Sequence, residues 1–171
     1  NVIDFNLVRY VFYSQINKGS LNFELDAKFD NLNQDFISYF VEGSVNNAEL
    51  NIAGYENLND INFNFQAQKE IIKISDLNFR YDEIDFLSKS IEVKDKKSGI
   101  YHIKGEIENN DALINPNLVF RLVNIKQDYL SDKDILLKSK NIFSFEFNKN
   151  KKIKNFKIDS IFNFDEIFFN E

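Results

Sequence analysis

Residues 61–81 read Ile61-Asn62-Phe63-Asn64-Phe65-Gln66-Ala67-Gln68-Lys69-Glu70-Ile71-Ile72-Lys73-Ile74-Ser75-Asp76-Leu77-Asn78-Phe79-Arg80-Tyr81. Apolar side chains fall on every second position in Ile61-Phe63-Phe65-Ala67, and again in Ile72-Ile74 and Leu77-Phe79-Tyr81. The intervening Asn62, Asn64 and Gln66 point the other way. Successive side chains of a strand leave opposite faces, so each segment reads as a strand with one apolar and one wet face. The polar cluster Gln68-Lys69-Glu70 between the first two reads as a turn.

The same two-residue period extends in both directions. Upstream it runs through Leu21-Phe23-Leu25-Ala27-Phe29 and Ala48-Leu50-Ile52. Downstream it returns in Ile91-Val93, Tyr101-Ile103-Gly105-Ile107, Leu118-Phe120-Leu122, Phe143-Phe145-Phe147 and Phe156-Ile158. Polar clusters such as Asn46-Asn47, Asp82-Glu83 and Glu108 to Asp111 separate these segments. About ten strands at near-regular spacing predict a mainly β chain, folded as a long antiparallel up-and-down meander. A Leu/Ile-Asn-Phe/Ile pattern recurs at Leu21, Leu50, Ile61 and Leu77, with unequal gaps that exclude a fixed-period solenoid. Helical spacing is confined to the front. Leu7, Val8, Val11 and Phe12, with Asp4 as N-cap and Lys18-Gly19 as the stop, predict an N-terminal helix over roughly 5–17. A second, short helix is expected over 34–41, ending near Gly43.

Composition narrows the function. The chain has 171 residues, one domain or two small ones, and 43% of them are hydrophobic, enough for a core or a long apolar surface. A net charge of -6 disfavours a phosphate backbone as partner, so nucleic acid is not expected. The absence of Cys removes disulfides, thiolate metal sites and a thiol nucleophile. No apolar run approaches the roughly 20 residues that span a bilayer, and no signal peptide is visible. With no Met, the sequence is expected to be a piece of a longer or processed chain. Nineteen of the aromatic residues are Phe, partly what an AT-rich genome produces.

Residues with chemical potential are few. The single His, His102, shares a face with Lys104 and Glu106 by alternation and reads as a solvent-facing strand residue. No Gly-x-Ser-x-Gly elbow accompanies it. Asp132 and Asp134 have Asp-x-Asp spacing without the Gly or distal Glu of a calcium loop. Asp82, Glu83 and Asp85 read as an acidic hairpin tip, and Lys149, Lys151, Lys152 and Lys154 as a solvated basic turn. No catalytic residue, metal ligand or cofactor is expected, and the chain reads as a non-enzyme.

An apolar face that long must be covered. A sandwich, a closed barrel and a trough meeting a ligand are the three solutions. The absence of Trp, and with it a Gly-x-Trp signature, disfavours a lipocalin-type barrel. A trough lined by Phe, Ile and Leu suits acyl chains, which offer no hydrogen bonds to read. Alternation alone leaves the sandwich open beside it.

The order Gly43-Ser44-Val45 and Ala48-Glu49-Leu50-Asn51-Ile52, then Ile61 to Phe65, Ile72 to Tyr81 and Tyr101 to Ile107 resembles the AsmA-like repeats of bacterial envelope proteins, the group of AsmA, TamB and YhdP. The entry through Lys18-Gly19-Ser20-Leu21 is similar too, and Phe143 to Phe147 with Ile153 to Phe164 echo a following repeat. The resemblance implies a taco-like β-groove repeat with its N-terminal helix over 1–110, and over 111–171 a continuation of the sheet and the start of the next repeat. It implies a periplasmic segment whose parent chain is anchored in the inner membrane outside this sequence. The groove would conduct phospholipid towards the outer membrane by holding its acyl chains, with no catalytic residues. Through the alternation, the lining residues are then Phe63, Phe65, Ile72, Ile74, Phe79, Tyr81, Ile91, Val93, Ile103 and Ile107. Two alternatives stand beside it: a structural or adhesin-like β domain with a self-buried core, and an assembly factor whose clients are outer-membrane proteins.

Overall fold

Alternation this persistent leaves the chain one economical fold, in which each strand pairs with the one before it. The computed structural model describes residues 16–29, 36–51, 57–81, 84–96, 99–116, 133–148 and 152–165. Its elements are eight strands: β1 (Ile16–Phe29), β2 (Phe36–Leu50), β3 (Leu58–Gln68), β4 (Ile71–Tyr81), β5 (Ile84–Asp95), β6 (Ile100–Ile114), β7 (Ile135–Asn148) and β8 (Ile153–Phe164). They form a single sheet in the order β1 to β8, every pair antiparallel. Among the described residues, extensive contacts join only strands that are neighbours in sequence, and β1 does not pair with β8. The described sheet therefore neither closes as a barrel nor stacks on a second sheet.

Strands of 11 to 15 residues are long for a globular protein. Bulges keep them in phase. Asn47, Asp60, Asp76, Asp111 and Asn155 all sit inside strands with φ near +50°. Asn and Asp tolerate this left-handed conformation better than other non-glycine residues. At Asp76 the bulge shifts the alternation by one residue, so Ile72 and Ile74 before it share a face with Leu77, Phe79 and Tyr81 after it. The segments expected as two strands are thus one. An asparagine ladder fastens the bulges of β2, β3 and β4. Asn47 N–H donates to Asn62 Oδ1 (2.9 Å), and Asn62 Nδ2 donates to Asn78 Oδ1 (3.0 Å) and to the Asp60 carbonyl (2.7 Å). Asn64 Nδ2 donates to Asp76 Oδ2 at 3.1 Å. Two copies of the recurring Leu/Ile-Asn-Phe pattern are aligned here, Asn62 opposite Asn78.

Three expectations change. The helix over 5–17 lies outside the described residues except for Ile16 and Asn17, which belong to β1, as do Lys18 and Gly19. Of the short helix over 34–41, residues 36–41 are strand, because Ser38, Tyr39, Phe40 and Val41 pair with Lys28, Ala27, Asp26 and Leu25. The cross-strand ladder outweighs a local apolar cluster that fits either period. About ten strands become eight described ones, since 72–81 is continuous and Leu118-Phe120-Leu122 lies outside the described residues. Strand β6 runs unbroken from Ile100 to Ile114 through the Asp111 bulge and pairs with β7 to its end, Ile114 opposite Ile135.

The buried apolar residues form two clusters on one face. The larger draws Val41, Val45, Phe63, Phe65, Ile72 and Val93, among others, from β2 to β6. The smaller joins Ile84, Ile114, Ile135 and Leu137 near the other end of the strands.

Candidate functional site

The face carrying these clusters is the candidate site, and the register builds it row by row. In an antiparallel sheet, residues directly opposite one another project from the same face. Phe23 opposes Gly43, and Gly43 opposes Phe65; then follow Ile74, Ile91, Gly105, Phe143 and Ile158. One row crosses all eight strands without a polar side chain. The adjacent row, Leu25, Val41, Ala67, Ile72, Val93, Ile103 and Phe145, crosses seven. At about 4.8 Å between strands, the complete row is about 34 Å long.

Both glycines in that row sit where the backbone is crowded. A Cβ on Gly43 would lie 2.9 Å from Phe23 Cβ and closer still to the Asn22 carbonyl oxygen. One on Gly105 would lie 2.8 Å from Ile91 Cγ1. At both positions the neighbouring strand approaches more closely than a Cβ would allow, so glycine fits and a larger residue would force a shift.

All ten residues expected to line a groove lie on this face. Phe63, Phe65, Ile72, Ile74, Ile91 and Val93 are buried in the larger cluster, with Ile103 packed on it. Phe79 and Tyr81 lie beyond the Asp76 bulge, Phe79 stacked on Phe86 with ring centroids 5.3 Å apart. Ile107 is half-buried opposite Asn141. The expected set misses Val41, Val45, Ala48, Ala67 and Tyr101 in the larger cluster and the whole of the smaller one. Tyr101, already in the Tyr101-Ile103-Gly105-Ile107 alternation, was legible. Val41 was hidden by the helical reading of 34–41, and the contiguous run Ile135-Leu136-Leu137 has no period to read.

A polar band separates the clusters on the same face. Ser88, Asn109 and Ser139 are buried on β5, β6 and β7. Asn109 Nδ2 donates to the Leu137 carbonyl at 2.9 Å, and Ser139 Oγ donates to Asn109 Oδ1. Asn141 Nδ2 adds a longer contact to Ser139 Oγ at 3.3 Å. The band is neutral, and these hydrogen bonds offset most of the cost of burying Asn109 and Ser139, while the Ser88 hydroxyl is buried without a partner among the described residues.

The opposite face is ionic. Its rows read Glu24, Glu42, Gln66, Lys73, Glu92, Lys104, Ser144 and Lys157, and beside them Lys94, His102, Glu146 and Lys154. Glu92 lies between Lys94 (3.0 Å) and Lys104 (3.3 Å), Lys140 pairs with Glu106 (2.9 Å), and Lys96 pairs with Glu146 (3.1 Å). The Lys94 ammonium is the main cause holding the Glu92 carboxyl below its usual range. Lys140 does the same for Glu106, and Lys96 followed by Asn155 for Glu146. His102 lies on this face between Lys94 and Glu146, sharing it with Lys104 and Glu106. A shallow depression of about 870 Å³ crosses β1 to β5 over residues that include Glu24, Glu42, Gln66 and Lys73. Asp85 is ion-paired with Arg80 (2.9 Å), Asp134 is exposed, and Asp82, Glu83, Asp132, Lys149 and Lys151 lie outside the described residues. Among the described residues, no three or more His, Asp or Glu side chains are grouped to hold a metal ion.

No protein-family model, curated protein or solved structure matches this chain. The likeness to AsmA-like repeats therefore rests on the residues quoted above.

Proposed function

We propose that this sheet is a segment of an AsmA-like envelope protein, curled about its apolar face into a trough that carries phospholipid between inner and outer membranes. The observation that supports it is the row from Phe23 to Ile158, apolar across all eight strands and ending at both edges of the sheet. Acyl chains need apolar surface and no hydrogen-bond partner, and each methylene kept from water contributes about 0.8 kcal/mol. Along this row no side chain is charged, so a sliding chain meets no ion to be desolvated. Headgroups stay at the open side, in water. On this reading the protein is not an enzyme, works in the periplasm, and belongs to a parent chain held in the inner membrane by a segment outside this sequence.

The near-complete burial of Ile72 and Val93 favours a second reading, a structural β domain whose apolar face is a closed core. Native mass spectrometry of the purified protein separates the two. The groove predicts co-purifying phospholipid, lost in Phe23→Asp and Ile158→Asp while the far-ultraviolet spectrum is unchanged. Absence of bound phospholipid from the unsubstituted protein overturns the groove.

A further inference from the structure

The polar band flanks only half of the apolar row. Beside the row, Leu21 opposes Val45 and Val45 opposes Phe63, and Leu77 follows on β4 past the Asp76 bulge. Leu77 then opposes Ser88 of β5, and on β7 Asn141 stands between Ile107 of β6 and Ser160 of β8. The same face is therefore wholly apolar beside the row from β1 to β4, and carries hydroxyls and an amide from β5 to β8. Within the band, Asn109 and Ser139 are hydrogen-bonded to one another and to the Leu137 carbonyl, which leaves a donor on either side of them. Ser88 is 3% exposed and its hydroxyl has no partner among the described residues. Asn141 is half-buried, and its Nδ2 makes only long contacts, 3.3 Å to Ser139 Oγ and 3.4 Å to the Ile107 carbonyl. Both are donors short of a good acceptor, in a setting where an unmet donor is costly.

Given the reading of this face as a phospholipid groove, on which the assignment rests, we propose that the band holds the ester linkages of the lipid. Asn141 Nδ2–H and Ser88 Oγ–H donate to ester carbonyls while the acyl chains lie along the row from Phe65 to Phe143. The methylenes of an acyl chain offer no acceptor, whereas the ester that joins the chain to glycerol does. A phosphate is a poorer match, because Ser88, Asn109, Ser139 and Asn141 include no cation to pair with it. Asn141 is the donor a lipid meets first. Ser88 is reached when the half-buried side chains of Leu77 and Phe86 beside it turn aside. The groove then selects lipids by their ester bonds, and the charged headgroup stays outside the band, in water.

Two lipids test this. The purified protein, stripped of lipid, is titrated in native mass spectrometry with dioleoyl phosphatidylcholine, and separately with its dialkyl ether analogue of the same headgroup and chain length. Both are expected to bind, since both fill the apolar row, with the ester lipid about tenfold tighter. Asn141→Leu is expected to abolish that preference by weakening the ester lipid alone. Ser88→Ala deletes a hydroxyl with no partner in the folded chain, so folding is retained, and it is expected to reduce the preference. Equal affinity of the two lipids for the unsubstituted protein, or a preference unchanged in either variant, overturns the ester site and leaves the groove standing. Binding of neither lipid overturns the groove, and the ester site with it.

Discussion

Strands β1 and β3 carry nearly the same pattern and meet opposite fates. Leu21-Asn22-Phe23-Glu24-Leu25 alternates as regularly as Ile61-Asn62-Phe63-Asn64-Phe65, yet Leu21, Phe23 and Leu25 are exposed while Phe63 and Phe65 are buried. The difference is position in the sheet. β3 is flanked by β2 and β4, whose side chains wall in its apolar positions, whereas β1 has a described neighbour on one side only. β8 repeats the lesson at the other edge, where Phe156 and Ile158 are exposed. Equal hydrophobicity thus contributes stability in the middle of the sheet and leaves contact surface at its rims.

Substitutions test that contrast, and the largest effect belongs to the centre. Phe65→Asp loses a buried aromatic and buries a charge, so it is expected to cost at least about 4 kcal/mol in urea unfolding. Phe23→Asp, in the same row, is expected to cost less than about 1 kcal/mol; equal losses would erase the distinction between centre and edge. Next comes the polar band. Asn109→Ala strands the Ser139 hydroxyl and the Leu137 carbonyl, for an expected loss of about 2 kcal/mol by the same measurement. The bulges follow. Asp76→Val forces a β-branched residue into a positive φ and is expected to cost about 1–2 kcal/mol, whereas Asp76→Gly is expected to stay close to the unsubstituted protein in thermal melts.

The smallest effect is on the ionic face. Ion pairing depresses the carboxyls of Glu92, Glu106 and Glu146, so the stability they contribute is full above their unfolded range, about pH 4.3. It is lost as pH falls through their lower folded values. The urea midpoint should therefore decline below about pH 4, and decline less in Glu92→Gln. A profile identical in the variant would mean that the Lys94–Glu92–Lys104 arrangement contributes nothing to folding.

Much of this arrangement was legible in the residues. Alternation located described strands and put all ten expected lining residues on one face, because the two-residue period is a covalent property of extended backbone. It stumbled where local pattern is ambiguous. Tyr39-Phe40-Val41 fits a helical turn as well as a strand, and only pairing with β1 makes it β2. It also split β4 in two. A slip in phase reads as a chain break, although Asp76 absorbs the extra residue without interrupting the ladder. The band of Ser88, Asn109 and Ser139 had no signature at all, since its members come from three strands and meet only through register.

By itself, then, the sequence determined that this protein is mainly β, antiparallel, polar and charged on one face and Phe-rich on the other. Each of these follows from neighbours along the chain. Tertiary structure alone decided that the apolar positions join into one row across eight strands, that bulges hold them in phase, and which end up buried. Those outcomes depend on which residue of one strand stops opposite which residue of the next. That is set by cooperative pairing and by the close strand approach at Gly43 and Gly105, and no single segment encodes it.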